Sequence, residues 1–97
     1  MIYHVTTKAQ WQKALDAGYF EEPSLHTEGF IHNSTKEQVA GVLERYYKNK
    51  MDLVLLHIEE ANLKAPLKYE LASSVNEMFP HIFGAINMEA VTKITDI

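Results

Sequence analysis

Helical patterning in this chain is confined to its first half, and the apolar runs that follow read as strands. Ile2-Tyr3-His4-Val5-Thr6 is rich in β-formers and reads as a strand. Thr7-Lys8-Ala9-Gln10 then has the spacing of a capping box. Trp11, Ala14 and Leu15 follow at helical spacing, and Gly18 suits the stop. Tyr19 to Ser24 reads as a connecting loop around Pro23, and Phe30 to His32 as a short strand. Ser34-Thr35-Lys36-Glu37 predicts a second cap, after which Val39, Val42, Leu43 and Tyr46 lie on one helical face. Asp52 to Glu59 has a continuous apolar centre, the pattern of a central strand. Leu67 to Leu71 and Ala90 to Ile97 alternate. Strands following helices argue for α+β rather than a doubly wound sheet. The expectation is one domain over residues 1–97: two helices flanking a bent or split, mainly antiparallel β-sheet.

Composition narrows the function. At 97 residues, roughly 60–65% of the unfolded chain's surface can be buried, enough for one modest core. There is no cysteine, hence no disulfide framework and no thiolate metal site. The longest apolar run, Leu53 to Leu56, is too short for a bilayer, and no signal-peptide pattern opens the chain. A soluble, cytoplasmic protein without a membrane partner is expected. Net charge is −4 and Arg45 is the only arginine, which argues against binding long nucleic acid. A small nucleotide is still compatible, because backbone amides and a few polar side chains can hold it.

Three histidines stand in apolar segments beside hydroxyls or carboxylates. His4 shares a strand face with Ile2 and Thr6. It is either a satisfied core histidine or a site residue with Thr6 beside it. His32 precedes the cap at Ser34, where free backbone N–H groups would attract phosphate or carboxylate. Its alternative role is to support that cap. Glu28, ahead of Gly29, is either a surface carboxylate or the acceptor that orients a histidine or a ribose. Ser24 lies on the same connection and is a weaker signal. Glu70 alternates with Lys68 and Ala72, either on an exposed face or projecting into a cleft as a general base. Phe79-Pro80-His81-Ile82-Phe83-Gly84 reads as a rigid aromatic turn that either stacks on a planar ligand or plugs the core. His26, in a loop, and His57, at a strand tip, look peripheral. No H-x-H or H-E-x-x-H pairing is present, so no bound metal is expected.

Ile2 to Thr6, Trp11 with Ala14, Ser24-Leu25, Glu28 to His32 with Ser34, Asp52 to Leu56, Tyr69-Glu70 and Phe79 to Gly84 together resemble domain-of-unknown-function family 952 over nearly the whole chain. That family looks like a minimal form of the ADP-ribosyltransferase-like fold. The resemblance implies an NAD-type dinucleotide as substrate. His4 would hydrogen-bond a ribose and His32 would lie beside the nicotinamide. Thr6, Ser24, Glu28, Ser34, His81 and Phe83 would complete the binding site. The third position of that fold is often a late-strand glutamate; here Glu70 and the segment His81 to Phe83 compete for it. Three classes of function fit: an enzyme transferring ADP-ribose through His4, His32 and Glu70, a non-catalytic nucleotide- or protein-binding module, and a histidine-dependent metalloenzyme.

Overall fold

The computed structural model describes all residues 1–97. Strand β1 (Ile2–Thr7) leads into helix α1 (Lys8–Ala17). The short strand β2 (Tyr19–Phe20), helix α2 (Pro23–Thr27) and short strand β3 (Ile31–His32) follow. Helix α3 (Val39–Tyr46) completes the helical half. Then come β4 (Leu53–Ile58), β5 (Leu67–Ala72), β6 (Glu77–Ile82), β7 (Ile86–Asn87) and β8 (Val91–Asp96). Every pairing is antiparallel. One sheet has the order β1-β4-β8, another β3-β6-β5, and β2 pairs with β7 in a ribbon. β4 is central, as its unbroken apolar run predicts.

The two larger sheets touch at a single bridge, where the amides and carbonyls of Tyr3 and Ser34 exchange hydrogen bonds of 2.8 Å. The strand surface is therefore split between β1 and β3, and His4 and His32 flank the split. Ile2, Phe20, Ile31, Leu56, Ile58, Ile82 and Ile86 are fully buried on its inner side. Each such side chain contributes roughly 1.5–3 kcal/mol relative to exposure. Trp11 packs against this core from α1, whose Ala14 is buried, whereas Leu15 points outward. Thr7 accepts the Gln10 amide at 3.0 Å, which is half of the expected capping box, since the Gln10 side chain makes no return bond to the Thr7 amide. Gly18 closes the helix in the left-handed region at φ 88°. No helix is long and apolar enough to cross a membrane.

Three local expectations need correction. The stretch read as a loop around Pro23 holds β2 and the start of α2, with the proline at the first helical turn, where its missing N–H costs nothing. The second capping box is formed by Thr35 with Gln38, not at Ser34, because the Ser34 backbone is committed to the bridge with Tyr3. The aromatic turn at Phe79 to Gly84 is instead mostly strand β6, central in its sheet. Pro80 is tolerated there because its carbonyl side, facing the Asn33 amide at 3.0 Å, lies past the end of β3, where no ladder donor is needed.

Candidate functional site

The split opens into a cleft of about 660 Å³. Its walls come from β1 (Tyr3, His4, Val5), the start of α2 (Glu22, Pro23, Ser24) and the β3 end (His32, Asn33, Ser34). Val42, Tyr46 and Tyr47 close it from α3, and Ala72, Ser74, Phe79 and His81 from β5, β6 and the turn between them. The apolar stripe of α3 thus faces a cleft more than a core, and none of its residues is fully buried.

His4 is 7% exposed, and both of its ring nitrogens are engaged. Nδ1 donates to the His32 carbonyl, and Nε2 meets Glu22 Oε1 at 2.9 Å. Thr6 Oγ1 donates to the same carboxylate oxygen at 3.0 Å. A carbonyl and a carboxylate only accept, so an ionised Glu22 requires a proton on each His4 nitrogen. Burial opposes ionisation of Glu22, but the hydrogen bond and charge of His4, with the Thr6 hydrogen bond, outweigh it. The carboxyl is held below its ordinary value of 4.5. Its second oxygen, Oε2, has no protein partner. Burial, and then the charge of Glu22, push the Tyr47 hydroxyl upward, so it stays a donor and reaches the Val5 carbonyl at 3.3 Å.

Because the folded-state value of Glu22 is depressed, its stabilisation is complete above the unfolded carboxylate range and is lost as pH falls through the folded value. Wild type is expected to lose more stability than Glu22→Gln between about pH 6 and about pH 3. Urea unfolding at both pH values checks this; parallel losses in the two proteins would contradict it.

Two further imidazole–carboxylate pairs lie nearby. His81 Nδ1 is 2.7 Å from Glu70 Oε1, and the more exposed His32 Nε2 is 3.2 Å from Glu28 Oε2. Phe30 stacks on His81 at 4.1 Å, and His32 stands edge-on to His81 at 5.1 Å. Asn33 Oδ1 is the one buried side-chain polar atom without a partner.

Of the residues expected at the site, His4, Ser24, His32, Ser34 and His81 line the cleft. Thr6, Glu28 and Glu70 are outside the lining, each bonded to a residue that belongs to it: Glu22, His32 and His81. Phe83 packs beside Phe30, outside the lining. His26 belongs to α2 and is exposed, rather than in a loop. His57 lies within β4 rather than at its tip, with its ring bonded to Thr95 of β8 at 3.1 Å, outside the cleft lining. The anion site expected at the helix start is closed, because Thr35 and Gln38 use each other's amides. No three histidine, aspartate or glutamate side chains converge as an ion-binding group. Glu22 escaped the sequence reading, as did Tyr3, Asn33, Tyr46 and Tyr47. Only the Glu-Pro pair hinted at it: a residue before proline is held extended at a helix start, so its side chain projects from the backbone.

Residues 5–94 match the family described as protein of unknown function (DUF952). No functionally curated protein matches the chain. Among solved structures, the crystal structure of protein CC0527 from Caulobacter crescentus is similar, with a TM-score of 0.88 and 31% identity, covering 98% of this chain and 83% of that one. The solution NMR structure of CC0527 from the same organism matches with a TM-score of 0.84 and 31% identity, covering 99% of this chain and 83% of that one. With its split antiparallel surface and a family match over most of its length, the chain belongs to the DUF952 family.

Proposed function

We propose that this chain is a small member of the ADP-ribosyltransferase-like fold class and that its cleft takes the nicotinamide–ribose end of an NAD-type dinucleotide. The observation that carries this most is Glu22, an ionised carboxylate with a free oxygen, set in a cleft walled by imidazoles. Cleavage of the nicotinamide–ribose bond develops positive charge on the ribose. A carboxylate fixed beforehand in a partly dry site stabilises that charge without reorganising. Glu22 takes this role in preference to Glu28 or Glu70, neither of which lines the cleft. His4 then holds Glu22 rather than the ribose, since both its nitrogens are engaged. His32 at the mouth offers an aromatic face to the nicotinamide.

A non-catalytic binding module is the second reading, and one observation favours it. No lysine or arginine lines the cleft, so a pyrophosphate would find no cation there. Calorimetric titration with NAD, paired with a nicotinamide-release assay, separates the two. Transfer to water or another acceptor requires both binding and release. His32→Ala is expected to weaken binding by about threefold to tenfold. Binding without release supports the module, and no binding at millimolar NAD removes the dinucleotide from both.

A further inference from the structure

Glu70 and His81 form a pair that the bond-cleavage step above leaves unused. In the β5–β6 register Glu70 opposes Phe79 and Lys68 opposes His81, so all four share one sheet face. The Glu70 carboxylate only accepts, so His81 Nδ1 carries the hydrogen of their 2.7 Å contact. In the neutral ring this leaves a lone pair on Nε2. That nitrogen has no protein partner, yet the one buried unpartnered side-chain atom is Asn33 Oδ1. His81 Nε2 is therefore open to solvent, although the residue is only 7% exposed. His81 itself is one of the residues that line the cleft. Phe30, stacked at 15° to the imidazole, restrains its rotation.

We propose that His81 is a general base serving the cleft and that Glu70 is its positioning residue. The group it acts on is the O–H of water or of an acceptor alcohol. The identity of the electrophile rests on the function proposed above. Nε2 takes the acceptor's proton while the acceptor oxygen forms its bond to the ribose C1′. The C1′–N bond breaks, and its electron pair leaves on the nicotinamide ring nitrogen. The proton stays on the imidazolium, balanced by Glu70, until solvent removes it. With water as acceptor the products are nicotinamide, ADP-ribose and one proton.

The experiment has two arms, applied to wild type, Glu70→Gln and His81→Gln. The first reads the imidazole ¹⁵N spectrum in mildly alkaline buffer and the rate of ethoxycarbonylation of His81 by diethylpyrocarbonate. The second measures nicotinamide release from NAD. Wild type is expected to show the Nδ1–H tautomer with unprotonated Nε2. In Glu70→Gln the new amide can donate to Nδ1 and drive the proton to Nε2, slowing modification. His81→Gln should lower kcat by about 10²-fold or more, and Glu70→Gln by roughly tenfold or more, with KM little changed. An Nε2–H tautomer in wild type overturns the proposal. So does a Glu70→Gln protein with unchanged tautomer and turnover. If wild type releases no nicotinamide but shows the Nδ1–H tautomer, lost in Glu70→Gln, the ribosyl-transfer function is overturned and the poised base stands.

Discussion

Replacing Phe20 by alanine is expected to lower the free energy of unfolding by about 3–5 kcal/mol. Phe20 is fully buried on β2, paired with Ile86, and its ring meets His4 edge-on at 5.2 Å and tilts against Trp11 at 6.4 Å. The substitution removes a large apolar side chain and leaves a void between α1 and the split sheets. Small domains hold only about 5–15 kcal/mol in total, so the loss would be a large share of the whole. It also removes the support behind His4, and the His4–Glu22 pair should loosen with it. Urea unfolding gives the first effect, and broadening of the His4 ring signals gives the second. A loss below about 1 kcal/mol, the level of an average substitution, would mean that the β2–β7 ribbon does not close the core.

Glu22→Gln carries the largest expected effect on chemistry. The substitution keeps the shape and removes the charge that would face the ribose. If the cleft breaks the nicotinamide–ribose bond, turnover should fall by roughly 10²–10³-fold. Binding should change far less, because the charge matters mostly where the ribose becomes cationic. Glu28→Gln is the control: Glu28 is half exposed, lies outside the cleft lining and pairs only with the exposed His32. Steady-state kinetics on the two variants decides between them. Unaltered turnover in Glu22→Gln, with a large loss in Glu28→Gln, would move the chemistry to the mouth of the cleft.

Much of the fold is written in local chemistry. The cap at Thr7, the glycine at position 18 and the unbroken apolar run of β4 each act through near neighbours, so the sequence alone locates them. Alternation likewise marks β5 and β8. Where long-range pairing decides, the sequence misleads. Pro80 makes β6 look like a turn, because only the end of β3 explains how a proline fits a central strand. Ser34 looks like a cap until Tyr3 claims its backbone, and the cap passes to Thr35. The site follows the same division. His4, His32 and His81 stand out as polar residues in apolar runs. Glu22 sits in an unpatterned acidic pair before a proline, and gains its role from His4 and Thr6, 18 and 16 residues away. No periodicity encodes that meeting; it exists only once β1 and the start of α2 are packed together.

The most direct test of a nucleotide site in the split sheet is an amide-shift NMR titration of wild type with NAD. The perturbed amides should be those of His4, Glu22, Ser24, His32, Asn33 and His81, which surround the cleft. The amides of Gln10, Lys13 and His26, around the smaller hollow beside α1, should stay in place. Shifts confined to that hollow, or no shifts at millimolar NAD, would contradict the assignment of the cleft.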